Sequence, residues 1–404
     1  MGEGCEERYF KLGEKIVVLQ VLSCLELGGA ESRVMDLCRQ MHHSDIQYAF
    51  LLHDKGPDYY EEEAKRLDCP IYRVPRFRFL NYFSYKKALK TFFKEHPEIN
   101  IVQGHMTSTA SIYLPIAKKC GVKATISHVR SAGVDPGMKG KLTNLLRKNL
   151  DHKTDYMWAC SIEAAKAVYG EQHLNNHEVR VIPNAIDVDK YVPSESLKEA
   201  GRKIREKYGM EGKLVIGHVG RFHYAKNHEF LLNVFAEIVK QREDAVLLLV
   251  GEGSLMEDVK KQAEGLNISD KVIFAGRQSA PEQFYQAMDL LIFPSRYEGL
   301  PGTIVEAQAA ELPCIVSDSV TRDVQVTELA DYESLNRSPA EWAAIALAHY
   351  EEMSYRKRKG FDRSDNRNVW QSPADILKAN GFDVCTQAEQ LKNIYREMIE
   401  VHAD

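Results

Sequence analysis

Short apolar runs alternate with polar, periodic stretches along this chain. In its first half, residues 16–22, 48–52, 71–74, 101–103 and 124–128 are rich in Val, Ile and Leu, and each run is the length of a strand. Between them, residues 30–41, 59–67 and 84–96 carry polar, periodic sequence of helical type. A second series begins at 214–219 and continues through 245–250, 272–274, 290–293 and 314–316, again with helical stretches such as 228–239 between the runs. Near-continuous apolar strands alternating with helices predict parallel sheets covered on both faces. The fold class expected is therefore α/β, with two doubly wound, Rossmann-like parallel-sheet domains facing across a cleft. The strand signal lapses in the charged stretch 188–207, so the first domain is read as 1–190 and the second as 191–383. Residues 384–404 hold one amphipathic helix, 386–402, with no strand beside it, and the stretch 351–372, rich in Arg, Lys and Asp, matches no pattern.

Composition narrows the class. A chain of 404 residues accommodates two domains at about 150 residues each. With 44% hydrophobic residues and a net charge of −5, it is neither disordered nor the basic protein that bulk nucleic-acid binding asks for. The eight cysteines are scattered, with no C-x-x-C pair, which speaks for reduced core thiols and against structural zinc or a disulfide scaffold. Residues 1–15 are polar and acidic, Glu6 breaks the myristoylation pattern, and no run nears the ~18 apolar residues of a spanning helix. A cytoplasmic protein without leader or anchor is expected.

Candidate chemistry gathers after the strands. At 293–307 a strand ends, a loop carries Glu298, and Pro301 suits the first turn of a helix on which Glu306 follows. The amides of Gly299, Leu300, Gly302 and Thr303 then open a helix N-terminus, which favours an anion such as a phosphate. Carboxylates accept from hydroxyls, so two of them flanking such amides suit a sugar phosphate. The plainer reading is a capped helix with Glu306 on its solvent face. At 219–227 Arg221 and Lys226 leave a strand end on one loop and could clamp a diphosphate, or be solvated cations. Gly28-Gly29 lies between the first strand and first helix, where glycines allow close backbone approach and free amides, or form an ordinary turn. Gly251-Glu252-Gly253 starts like a dinucleotide fingerprint, but Met256 stands where the last glycine belongs, and it is discounted. His105 ends one strand and His128 and Arg130 the next; a lone histidine is more often a satisfied core residue. Asp187-Val188-Asp189 matches an Asp-x-Asp metal pattern but lies in the connector and is set aside.

Taken together and in order, these residues resemble the GT-B glycosyltransferases, specifically the retaining enzymes of family 4. The motifs are Gly28-Gly29-Ala30-Glu31, Ile182-Pro183-Asn184-Ala185-Ile186-Asp187, Val219-Gly220-Arg221 with Lys226, and Glu298 and Glu306 followed by Leu312-Pro313. The Gly-Arg-Phe spelling and Lys226-Asn227-His228 are similar to the subgroup found in bacterial exopolysaccharide and capsule clusters. The resemblance implies an acceptor-binding first domain, a second domain binding a nucleotide-diphosphate sugar, and a terminal helix returning to the first domain; the nucleotide is read as UDP in preference to GDP or ADP. By the same resemblance Glu306 holds the ribose, Glu298 the donor sugar, Arg221 and Lys226 the diphosphate, and the 299–303 amides the distal phosphate. Gly28-Gly29 approaches that phosphate, Arg277 offers backbone groups to the base, and His105 stands near the reacting centre. The family is metal-independent and needs no cofactor. Asn184-Ala185 and Glu311 stand where the family commonly has glycine. Other readings keep the fold and change the role: a sugar-nucleotide epimerase, a phosphorylase, for which no pyridoxal-phosphate lysine context is evident, or a silent nucleotide-sugar scaffold.

Residues 71–94 contain no acidic side chain, but seven cations (Arg73, Arg76, Arg78, Lys86, Lys87, Lys90, Lys94) interleaved with aromatics. That mixture suits an anionic membrane surface, extended by Lys139, Lys141, Arg147 and Lys148. The alternative is core aromatics beneath a solvated cationic face; a single-stranded nucleic-acid groove shares the composition but not the donor motifs. The expected partners are a nucleotide sugar, a glycan or lipid-linked acceptor and an anionic bilayer, with no nucleic acid.

Overall fold

The computed structural model describes residues 15–134, 137–359 and 371–401. Cys5, Glu6, residues 360–370, His402 and the side chain of Lys139, all drawn on above, lie outside the described residues. One sheet is formed by β1 (Ile16–Val21), β2 (Ile46–Leu52), β3 (Ile71–Arg73), β4 (Ile99–Gly104), β5 (Ala124–Val129), β6 (Tyr156–Ala159) and β7 (Val179–Val181), in the order β3-β2-β1-β4-β5-β6-β7. The other is formed by β8 (Leu214–Val219), β9 (Ala245–Val250), β10 (Val272–Gly276), β11 (Leu290–Phe293), β12 (Cys314–Ser317) and β13 (Ala330–Glu333), in the order β10-β9-β8-β11-β12-β13. In each sheet the strand order reverses beside the first strand, at β1/β4 and at β8/β11, the doubly wound arrangement expected. The central pairings are parallel, so the loops that follow β8 and β11 leave from one edge.

By compactness the chain divides into two units. One contains the chain up to His128, Thr143–Trp158 and the chain from Ala388 onward; the other contains Val129–Leu142 and Ala159–Gln387. In the first unit, β1 and β2 are buried almost throughout, and the Tyr82–Glu95 helix lays Tyr85, Leu89, Phe92 and Phe93 inward. The Val384–Glu400 helix adds Leu391, Tyr395, Met398 and Ile399 to the buried set. Its Arg396 forks onto Asp45 with both contacts at 2.7 Å, and this holds the Asp45 carboxyl below its usual range. In the second unit all six side chains of β9 are buried, and Ala245, Leu247 and Leu249 join Phe222, Leu231, Phe235, Leu290, Ile292 and Trp342 in one core.

Three strands escape the apolar-run criterion. β6 and β7 are four and three residues long, and β13 (ADYE) alternates buried and part-exposed positions at the edge of its sheet. A strand covered on one face needs only half its residues apolar. The unassigned stretch 351–372 begins as the last turns of the Pro339–Lys359 helix.

Candidate active site

β11 ends at Phe293, and the loop after it leads into a helix, Gly302–Ala309, whose N-cap is Pro301. The helix thus starts one residue later than the sequence suggested. No side chain caps it. The first-turn amides of Gly302 and Thr303 have no intrahelical acceptor, so this N-terminus has donors to offer an anion. The preceding turn is fixed by its neighbours. Asn184 donates from Nδ2 to the Leu300 carbonyl at 2.9 Å, and Arg130 in turn donates to the Asn184 side-chain oxygen. A Cβ on Gly299 would lie 2.2 Å from the Arg130 carbonyl oxygen, so only glycine fits there. The Ile182-Pro183-Asn184 motif therefore has a local job, which is to hold the backbone of the Glu298 loop.

Glu306 is 9% exposed, not on a solvent face as the plainer reading had it. The Tyr285 hydroxyl donates to its Oε2 at 2.7 Å. Burial, and after it the Glu306 charge, pushes the Tyr285 phenol far above its ordinary pKa, so it remains a donor. One carboxylate oxygen is thereby oriented by a fixed neutral hydroxyl.

The β8 loop arrives beside it. Lys226 Nζ lies 2.7 Å from Glu298 Oε1 and 4.5 Å from the centroid of the Phe293 ring. The diphosphate cation and the sugar carboxylate of the sequence reading are thus ion-paired to each other. Arg221 is exposed and makes no ion pair or side-chain hydrogen bond among the described residues. Arg296, which the sequence reading passed over, ties the two loops. Its Nη1 donates to the Tyr224 carbonyl at 2.7 Å, its amide to the Ala225 carbonyl at 2.7 Å, and its guanidinium sits 4.3 Å from the Tyr224 ring centroid.

Beneath Lys226 lie two buried histidines. His218 Nδ1 contacts the Ile292 carbonyl at 2.9 Å, and His228 stacks on Phe222 at 4.2 Å with neither ring nitrogen hydrogen-bonded. Burial lowers the His218 pKa to about 4; burial, then His218 and Lys226, lowers that of His228 to about 2. Both are neutral at pH 7, which leaves Lys226 and Arg221 as the cations of the loop.

The discounted Gly251-Glu252-Gly253 turn proves to be a support. A Cβ on Gly251, at φ +142°, would meet the Gly220 oxygen at 2.1 Å, and one on Gly253 the Phe222 oxygen at 2.3 Å. Phe222 N donates to the Glu252 carbonyl at 3.0 Å, and Leu255 N to the Phe222 carbonyl at 3.2 Å. These glycines exist to let one backbone lie against the Arg221 loop. Arg277 follows β10 on the same edge and pairs loosely with Glu252, at 3.5 Å.

In the first unit, His105 Nε2 contacts Gln20 Oε1 at 2.7 Å, Gln20 Nε2 donates to Gln103 Oε1 at 3.3 Å, and Tyr395 donates to the same oxygen at 2.6 Å. Gln103 Nε2 lies 2.9 Å from His128 Nδ1. His105 therefore ends a buried polar chain whose members, Gln20 and Gln103, stood out in the sequence only as amides inside apolar strands. Gly28 differs from expectation. Its amide is taken by the Glu26 carbonyl at 2.8 Å and its φ of −131° needs no glycine, so only Gly29, the first residue of the Gly29–Met41 helix, keeps an unclaimed first-turn position. Asp187 caps Lys190 N and Asp189 pairs with Lys378 at 2.7 Å, so the Asp-x-Asp pattern is occupied locally.

Residues 27–190 match the model of Glycosyltransferase Family 4, and residues 201–345 match that of Glycosyl transferases group 1. The chain is 31% identical over 331 residues to the putative glycosyltransferase EpsF of Bacillus subtilis, covering 81% of this chain and 85% of that one. It is 22% identical to an Escherichia coli UDP-Gal:alpha-D-GlcNAc-diphosphoundecaprenol alpha-1,3-galactosyltransferase, over 95% and 98% of the two chains. Its fold matches that of Anabaena HepE, solved with UDP-glucose, at a TM-score of 0.74 and 17% identity over 95% of this chain and 100% of HepE. A family 4 region followed by a group 1 region, on two parallel-sheet units, places this chain in the GT-B glycosyltransferases of family 4.

Proposed function

We propose that this glycosyltransferase moves a hexose-type sugar from a UDP-sugar to a glycan or lipid-linked acceptor in cell-surface polysaccharide biosynthesis, with retention at the anomeric carbon and without a metal ion. The observation that carries the donor half is one sheet edge. It brings together the exposed Arg221, the Lys226–Glu298 pair, the uncapped Gly302–Ala309 helix and the buried, tyrosine-oriented Glu306. Cations and helix amides take phosphate oxygens, and carboxylates take hydroxyls. The acceptor class is supported by the name of the Escherichia coli relative, whose acceptor is a sugar on a diphospholipid.

In this reading Glu306 accepts from the ribose hydroxyls, while Glu298 accepts from the transferred sugar and is held by Lys226. Arg221, Lys226 and the Gly302 and Thr303 amides stabilise the charge that builds on the leaving nucleoside diphosphate. The acceptor oxygen forms its bond to the anomeric carbon on the face from which the phosphate oxygen departs. The acceptor proton passes to that phosphate oxygen, so no protein nucleophile is consumed. His105, fixed through Gln20, is the first unit's group for orienting the acceptor. The test is incubation of the purified enzyme with a panel of nucleotide sugars and a polyprenyl-diphosphate-linked sugar in EDTA. Transfer from one UDP-sugar, with the donor's anomeric configuration kept in the product, is expected. Inversion, or a strict need for added metal, would refute the mechanism; conversion of the donor without transfer would mark an epimerase.

A further inference from the structure

The 71–94 segment is resolved by the structure into two different faces. On the Tyr82–Glu95 helix, Tyr85, Leu89, Phe92 and Phe93 are core. Phe83, Lys87, Lys90 and Lys94 fall on the opposite stripe at four- and three-residue spacing, all exposed. At the head of that stripe, the 3-10 turn Phe79–Asn81 presents Leu80 at 104% relative exposure, Phe79 at 50% and, one turn on, Phe83 at 85%. Isolated exposed apolar residues are ordinary, but three large ones on one turn are not.

This tip is ordered, not loose. Asn81 Oδ1 accepts from Arg78 N at 2.6 Å, its Nδ2 donates to the Arg76 carbonyl at 2.9 Å, and Ser84 donates to the Asn81 carbonyl at 3.0 Å. Phe77 stacks edge-on against Phe79 at 5.2 Å and lies 5.3 Å from buried Tyr85, so the exposed rings are braced on the core. Of the seven cations, Arg73 is taken by Glu61 and Asp54. Arg76, Arg78, Lys86, Lys87, Lys90 and Lys94 carry no ion pair among the described residues. A rigid apolar tip beside a row of uncompensated cations, on a chain of net charge −5, complements one kind of surface: apolar groups enter a bilayer while cations meet anionic headgroups.

We infer that the Phe79–Asn81 turn and the exposed stripe of the Tyr82–Glu95 helix dock this enzyme on anionic lipid bilayers, with Phe79, Leu80 and Phe83 entering the interface. This docking stands on the surface itself and does not rest on the donor or acceptor assigned above. The full-length protein is floated with vesicles of phosphatidylcholine alone or with one-third phosphatidylglycerol, at low and high salt. Binding is expected only with the anionic vesicles, weakening on added salt. Leu80→Ser with Phe83→Ser, and separately Lys86→Gln with Lys87→Gln and Lys90→Gln, should each lower vesicle affinity about tenfold or more, since each cation near such a surface contributes about a fivefold factor. Both variants alter exposed side chains, apart from the half-buried Lys86, and their melting temperatures should match the parent's. Equal binding to both vesicle types, or unchanged binding in both variants, would overturn the proposal. So would tight capture by heparin or single-stranded RNA with no vesicle binding, which would assign the cations to a polyanion instead.

Discussion

Lowering the pH should unsettle the second unit in part through His228, and replacing that histidine should remove its share of the effect. His228 opens the His228–Gln241 helix, stacks on Phe222 inside the core and has a pKa of about 2. An unfolded histidine titrates near 6.5. The folded value is depressed, so the stabilising neutral form is favoured in full above about pH 6.5, and its contribution drains away as pH falls below that toward the folded value. Between about pH 7 and pH 4.5 the unfolded side chain gains nearly a full proton that the folded one refuses, which costs about 2.5 kcal/mol at 1.36 kcal/mol per pKa unit. His228→Leu strands no hydrogen bond, since neither ring nitrogen has a partner, and near neutral pH it should change stability by less than about 1.5 kcal/mol. At about pH 4.5 it should leave the protein more stable than wild type by about 2 kcal/mol, with His218 still contributing its own loss in both. The assay is hydrogen exchange at β9 amides, compared between wild type and variant at each pH so that intrinsic rates cancel. Protection in the variant should exceed wild type by a factor of about 30 at the lower pH. Identical pH dependence in the two proteins would refute the burial argument.

Four further outcomes follow from local geometry. Tyr285→Phe leaves the Glu306 carboxylate without its 2.7 Å donor, and should weaken nucleotide-sugar binding by about 1.5–3 kcal/mol, read as a raised KM with a smaller change in kcat. Gly251→Ala must place a Cβ 2.1 Å from the Gly220 oxygen at φ +142°, and should destabilise by about 2–4 kcal/mol. Gly265→Ala, where nothing lies within 4 Å, should be neutral or stabilise by up to about 1 kcal/mol; thermal melts separate the two. Asn184→Ala removes the 2.9 Å bond to the Leu300 carbonyl and should cost about 1–2 kcal/mol in donor binding while β9 exchange stays unchanged.

Where a residue's place is set by its own strand end, it is legible in the sequence. Strands β8, β9 and β11 are the apolar runs 214–219, 245–250 and 290–293 to the residue, and the loops behind β8 and β11 share an edge because the two strands pair. Glu298, Arg221 and Lys226 can be placed on those two loops from position alone. What stayed hidden depends on contacts between distant segments. Tyr285 meets Glu306 across 21 residues, Asn184 meets Leu300 across 116, and Tyr395 meets Gln103 across 292. No periodicity encodes such pairs. Gly251 and Gly253, discounted as a cofactor loop, advertise close backbone approach without saying to what; the approach is to the protein's own Gly220–Phe222 backbone. The Gly28 amide, expected to be free, is spent on the Glu26 carbonyl. The 71–94 segment mixed two faces that only the helix phase separates, buried Tyr85 and Phe92 against exposed Leu80 and Phe83.

The donor half of the proposal requires the β8–β11 edge to hold a nucleoside diphosphate by cations and helix amides. Calorimetric titration of UDP into the wild-type protein and Arg221→Ala, each in EDTA, tests it most directly. Saturable binding to wild type without metal is expected, with a loss of about tenfold to a hundredfold in the variant, as for one charge-assisted phosphate contact. Equal affinity in the two proteins, or binding that appears only when a divalent cation is restored, would contradict it.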